Sequence, residues 1–415
     1  MPEIFGSTRT ITPAGVGYHG INFGREIVHP YAARGPLLQV SGYYLRMRVV
    51  HLESGLHLYG GAQQVRYLLS GLAAEGIENV LICPRDSAIS NTVGGMGGVA
   101  EVVEVSMRGD LDIALPGRLR SLLGSYRPNI LHVHSRRGAD NFGGWNARWA
   151  GVPAILTRRV ESAEFKALAL LKYQPYAAII AISRAIEAQL KDNVGLAQQR
   201  IHYVASGVDT KRFQPAESRG RLAEIFGLPA GSLTIGVVAQ LIPRKGHARL
   251  FGVLGALVAA HPEVQVLCFG RGSLERDLEQ QVQDLDLATN VHLAGFRSDL
   301  ETLLPELDLL AHPAAREGLG VAVLEALSCG VPVVTSAVGG LVDVVEHEVT
   351  GLTVRVGDDD ALLGCLARLV TDPELRRRLG VAGRRRVEEA FSVESMTSGN
   401  LSVYRGVMKQ NYGRN

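Results

Sequence analysis

Residues 47–84 read MRVVHLESGLHLYGGAQQVRYLLSGLAAEGIENVLICP. An apolar run, RVVHL, leads through the glycine pair Gly60-Gly61 into a helix-like segment, and a second apolar run, NVLICP, follows. Short apolar runs with little alternation suit strands buried on both faces, as in parallel sheets. Strand, helix and strand in that order imply a right-handed βαβ unit. The same alternation continues in NILHVH, PAILT and AAIIAIS. After a break near residues 207–233 it resumes in SLTIGVVAQ, VQVLCFG, NVHLAG, LDLLAHP, VPVVTS and GLTVRV.

The pattern predicts an α/β chain with two Rossmann-like domains, each a doubly wound parallel sheet, facing one another across a cleft at the strands' C-terminal ends. The expected divisions are 47–207, 208–391 and a helical segment 392–415 that returns to the first domain. Residues 1–46 lack both a secretory pattern and clear periodicity. They are expected to be a poorly ordered extension, or an upstream mis-start with Met47 as the true initiator.

The chain has 415 residues, 46% of them hydrophobic and 20% charged, with a formal net charge of +2. That length suits two cores of ordinary size. The near balance of charge gives no polybasic signature for a nucleic-acid partner. Four scattered cysteines without a C-x-x-C pair favour a reducing compartment over a disulfide framework or structural zinc. No apolar run of about 18 residues is present to span a membrane.

Several local patterns bear on chemistry. Gly95-Met96-Gly97-Gly98-Val99-Ala100 matches a dinucleotide fingerprint, but it precedes a strand-like run and lacks the helix N-terminus that would hold a pyrophosphate. A nicotinamide oxidoreductase is therefore disfavoured. Gly60 and Gly61 are better placed, between a strand and a helix, where backbone can approach a ligand closely. His132 and His134 are expected on opposite faces of their strand, which leaves them no shared metal. Arg136, Arg137, Arg158 and Arg159 follow two successive strands; they read either as solvated surface or as a positive wall on the cleft for an anion.

In the second half, Arg244 and Lys245 stand just beyond the first strand, where a lysine can reach a phosphate as a point charge. FRSD brings Phe296 and Arg297 to another strand end. PAAREGLGVAVLEALSCGVPVV then places Glu317 in a loop, Gly318, Leu319 and Gly320 at a helix start with free N–H groups, and Glu325 about two turns on. Carboxylates suit hydroxyls, and N–H groups with a lysine suit phosphates, so the set suits a sugar nucleotide.

These residues resemble the retaining glycosyltransferases of family 4, which have the GT-B fold. The hallmark E-x7-E appears as EGLGVAVLEALSCGVPVV, with GGAQQ, ILHVHS, IIAISRAI, SGVDTKRF, PRKGH and the GF turn in matching order. The similarity runs from about Met47 to about Phe391. It implies that Glu317 and the Gly318–Gly320 backbone hold the donor sugar, Glu325 the ribose, and Lys245 the diphosphate. Gly60 and Gly61 cradle the donor from the other domain, His134 lines its site, and Phe296 and Arg297 lie near the base. Gln240 replaces an arginine usual in the family, and Arg244 is the candidate substitute.

The implied reaction is sugar transfer from a nucleotide sugar to an acceptor hydroxyl with retention, without metal or other cofactor. Lys245, Glu317 and His134 are its catalytic candidates. The implied setting is lipopolysaccharide or other cell-surface glycan synthesis in the cytoplasm, with peripheral contact at the inner membrane face. The acceptor would be a glycan or lipid-linked molecule, anionic if the four arginines meet it. A GT-B epimerase or a non-catalytic nucleotide-sugar-binding protein are the alternatives.

Overall fold

The computed structural model describes residues 38–40, 43–45, 47–58, 60–108, 112–134, 138–218 and 220–412. Every described residue belongs to one compact unit, Gly35–Asn415. The expected character of the first 46 residues thus lies outside the described residues, except for strands β1 (Leu38–Val40) and β2 (Tyr43–Leu45), which pair antiparallel.

Two parallel sheets carry the fold. The first contains β3 (Arg48–Leu52), β4 (Glu78–Pro84), β5 (Glu101–Val105), β6 (Ile130–Val133), β7 (Ala154–Arg158), β8 (Ala178–Ala181) and β9 (Ile201–Tyr203). Their order is β5-β4-β3-β6-β7-β8-β9. The second contains β10 (Leu233–Val238), β11 (Val264–Phe269), β12 (Val291–Gly295), β13 (Leu309–His312), β14 (Val333–Ser336) and β15 (Leu352–Val354), in the order β12-β11-β10-β13-β14-β15. Strand order reverses between β3 and β6 in one sheet and between β10 and β13 in the other. Open α/β sheets bind ligands just beyond the strand ends at such reversals.

Burial follows the sequence pattern. Strand β6 is buried along its whole length, as a strand covered by helices on both faces must be. Val50, Leu52, Ile82, Leu131 and Val133 pack into one core. On the sheet's other face, Val49, Ile130, Ile155 and Ile180 pack against Leu401, Tyr404 and Val407 of the helix Val393–Tyr412. The end of the chain therefore completes the core of the first sheet.

The chain crosses between the sheets twice, and the crossings touch. Val208 N–H donates to the Phe391 carbonyl (2.8 Å), and Val393 N–H donates to the Val208 carbonyl (3.1 Å). Gly207 is clamped by buried Gln64, whose amide accepts from its N–H (2.9 Å) and donates to its carbonyl (2.8 Å). A Cβ on Gly207 would lie 2.7 Å from the Ser392 carbonyl oxygen, so only glycine lets the crossings meet.

Candidate active site

At the reversal of the second sheet, β13 ends in His312 and a loop carries Glu317 to the helix Val321–Ser328. The turn after β10 delivers Lys245 to the same point. Gly246 makes that turn at φ +79°, and a Cβ there would sit 2.2 Å from the Pro313 carbonyl oxygen. Glycine thus lets the Lys245 turn press against the Glu317 loop.

Lys245 Nζ donates to Glu317 Oε2, and His312 Nε2 donates to the same oxygen at 2.9 Å. Gly318 N–H donates to Glu317 Oε1 at 3.1 Å. Burial disfavours the Glu317 charge, but the His312 and Lys245 contacts outweigh it and hold the carboxyl well below the usual carboxylate range. A carboxylate only accepts, so Nε2 of His312 carries the proton; burial keeps that ring neutral. His247, at the start of the next helix, is buried nearby and lowered to about 4 by burial, His312 and Lys245. The site is a fixed ammonium beside a fixed carboxylate.

Other expected donor residues spread along this edge. Gln240, Phe296 and Arg297 line a cavity of about 490 Å³ together with Arg271, and His57 and Leu58 close it from the first sheet's side. Arg297 is tied to Asp299 at 2.7 Å. Arg244 is exposed and reaches the Arg316 carbonyl at 3.4 Å. Leu319 is core, and the N–H of Gly318 is taken by Glu317 rather than free. Gly320 caps the helix at φ +94°. Glu325 stands apart from Lys245: burial raises its pKa to about 8, opposed by Arg212 and reinforced by Glu301. Gly60 has open space around its Cα, whereas a Cβ on Gly61 would meet Arg159 Cδ at 3.7 Å.

The first sheet corrects two expectations. His132 and His134 do not point to opposite faces. Residues two apart on a strand return to the same face, and their ring centroids lie 3.8 Å apart. Pairing of β3 with β6 sets His51 beside His132, so three buried imidazoles form one cluster. Their ligand atoms lie within 4.8 Å of one another, the spacing of a metal group, but His51 Nδ1 and His134 Nε2 share a 2.9 Å hydrogen bond.

The expected positive wall on the cleft is corrected at Arg158. Arg158 is buried, paired with Glu164 at 3.2 Å and bonded to Ser162 Oγ at 2.8 Å. Arg159 is half-buried and turns to Ser206 at 3.3 Å. Its carbonyl abuts Gly318, where a Cβ would approach within 2.5 Å. Arg159 therefore lies in the seam between the two sheets, beside Gly61, on the side where the cleft wall was expected. Arg136 and Arg137 lie outside the described residues.

Sequence reading did not single out His312, His51, Asn79 or Tyr404. The first ends an apolar strand, and nothing local in the sequence marks it. The others meet only through strand pairing or the returning helix.

Two facing Rossmann-like domains with a lysine–carboxylate pair at the strand ends define a GT-B glycosyltransferase. The sequence profile described as Glycosyltransferase Family 4 matches residues 59–212, and that of Glycosyl transferases group 1 matches residues 218–386. An alpha-maltose-1-phosphate synthase of Mycolicibacterium smegmatis is 31% identical over 315 residues, covering 71% of this chain and 76% of that protein. A GDP-mannose-dependent monoacylated alpha-(1-6)-phosphatidylinositol monomannoside mannosyltransferase of Corynebacterium glutamicum is 36% identical over 205 residues, covering 47% of this chain and 53% of that protein, so this alignment spans about half of that relative. A solved glycosyltransferase from Rickettsia africae shares the fold at a TM-score of 0.79 and 18% identity, over 88% of this chain and all of that one. The chain belongs to the family 4 glycosyltransferases.

Proposed function

We propose that the protein moves a sugar from a nucleotide-sugar donor to an acceptor hydroxyl, with retention, in the synthesis of a cell-surface glycan. The observation that carries this reading is the buried Lys245–Glu317–His312 group at the strand reversal, on the same edge as the cavity lined by Gln240 and Phe296. Lys245 supplies positive charge to the departing diphosphate, where charge develops as the sugar leaves. Glu317 already accepts from three donors, so it orients sugar hydroxyls and Lys245 instead of attacking the anomeric carbon. Retention then follows if the departing phosphate draws the acceptor proton on the face it leaves. Glu325 holds the ribose, and the first domain presents the acceptor.

The test is a panel of UDP-, GDP- and ADP-linked sugars, each incubated with and without chelator. One donor should be hydrolysed slowly without acceptor, its product keeping the anomeric configuration, and the rate should survive chelation of divalent ions. An epimerised donor, or an inverted product, would reject the proposal.

A lipid-linked acceptor at the cytoplasmic membrane face fits one further feature. The helix Lys166–Tyr173 follows β7 at the cleft-facing end of the first sheet. Its Lys172 turns inward to Glu164 and Asp140, while Phe165, Leu168 and Leu171 are 82%, 67% and 58% exposed. Contiguous apolar exposure of this kind marks an interaction surface. Among the described residues no helix is long and apolar enough to cross a membrane, so the contact would be peripheral. Phosphatidylglycerol vesicles should sediment the wild-type chain, and Leu168→Glu with Leu171→Glu should leave it in the supernatant. Equal sedimentation of both would remove this contact from the proposal.

A further inference from the structure

The histidine cluster at the reversal of the first sheet contains a hydrogen-bond chain with one direction. Asn79 Nδ2 donates to the carbonyls of Leu69 (3.2 Å) and Val99 (3.1 Å). Carbonyls only accept, so this fixes the amide, and Oδ1 faces His51 Nε2 at 3.2 Å. His51 Nε2 must therefore carry a hydrogen. Burial lowers the His51 pKa to about 3, so the ring is neutral and its Nδ1 is a bare acceptor. That Nδ1 lies 2.9 Å from His134 Nε2, which must donate to it. Burial, with His132, His51 and Arg159 nearby, keeps His134 neutral as well. Its single proton is on Nε2, and its Nδ1 is left as a buried lone pair with no partner among the described residues.

A buried acceptor without a donor is unfavourable by about 1–3 kcal/mol, and such groups call for an explanation. His134 directly follows β6, at the strand reversal where a ligand is expected. We infer that Asn79 and His51 are positioning residues that lock His134 in the Nε2–H tautomer, so that its Nδ1 accepts a hydrogen bond from a hydroxyl of the bound substrate. This rests on the sugar-transfer reading only for the identity of that hydroxyl; the tautomer is a property of the free protein. The neighbouring ring is held separately. His132 bonds Tyr404 Oη at 2.6 Å and Thr157 Oγ1 at 2.7 Å, so it packs against His134 without sharing its proton.

The tautomer can be read from the ¹⁵N shifts of histidine-labelled, full-length protein, with the His134 signal assigned by its loss in His134→Gln. The expected spectrum shows a protonated Nε2 and a bare Nδ1. His51→Asn places an amide oxygen where Nδ1 stood and should preserve that pattern. His51→Leu removes the acceptor and should release His134 to the other tautomer. With GDP-mannose or UDP-glucose, whichever the wild type turns over, His51→Leu should lose about tenfold in kcat/KM, the scale of one neutral hydrogen bond, and His51→Asn should restore most of it. A protonated Nδ1 in the wild type overturns the inference whether or not any variant folds. So does a His51→Leu protein whose tautomer and kcat/KM match the wild type, or a stoichiometric divalent ion bound at these histidines. Failure of every donor would count against the transfer reading, while the ligand-free spectrum would still decide this one.

Discussion

Replacing Lys245 with alanine should lower sugar transfer by about 10²–10³-fold, the range for removing one preorganised stabiliser of developing charge, in a protein that is less stable but still folded, because Glu317 keeps His312 and the Gly318 N–H as donors. The argument rests on how the ammonium is held. Lys245 is nine-tenths buried and anchored by Glu317, so on the proposed reading its charge is in place before a donor diphosphate binds. Little reorganisation is then needed as negative charge grows on the leaving group. Glu317→Ala should be as damaging to turnover, but it also strands Lys245 and His312 in a buried site. Breaking a buried pair by removing one partner destabilises by about 3–5 kcal/mol. Glu317→Gln keeps the volume and one acceptor oxygen, so it separates loss of charge from loss of packing. Turnover should be measured beside thermal unfolding for all three. Near-normal turnover in a folded Lys245→Ala protein would remove the lysine from the reaction.

The class of fold was legible because the buried strands are short and mostly apolar, and local sequence suffices to see them. RVVHL and NVLICP became β3 and β4, with the helix Gly60–Ala74 between them. The decoy glycines at 95–98 were readable in the same way, since β5 follows them. Contacts made by strand order were not legible. His51 and His132 are 81 positions apart and become neighbours only because β3 pairs with β6. Side-chain parity was misjudged at His134, where a period of two returns the ring to the face of His132. Arg158 was misread for a related reason. A cation at a strand end looks solvent-facing until Glu164, in the following loop, folds back to pair with it. His312 was hidden because histidine at the end of an apolar strand carries no signal until its carboxylate partner is known.

Ending the chain before the helix Val393–Tyr412 should prevent the first domain from folding. That helix is far from β3 in sequence but buries Met396, Leu401, Val403, Tyr404, Val407 and Met408 against the first sheet and its helix Gly60–Ala74. A fully buried large apolar side chain contributes about 1.5–3 kcal/mol. The six together are worth on the order of 10 kcal/mol, comparable to the whole stability of a typical domain. The truncated protein should therefore be insoluble or should lose one unfolding transition, the second sheet melting as a separate unit. Tyr404→Phe is the finer probe. It keeps the ring but removes the hydroxyl bonded to His132 at 2.6 Å, leaving a buried ring nitrogen unpaired. That change should destabilise the first domain by about 1–3 kcal/mol, with the helix still docked. Denaturant unfolding followed in each domain would show it. A Tyr404→Phe protein as stable as the wild type would mean that the helix is held by apolar contact alone and that His132 finds its partner elsewhere.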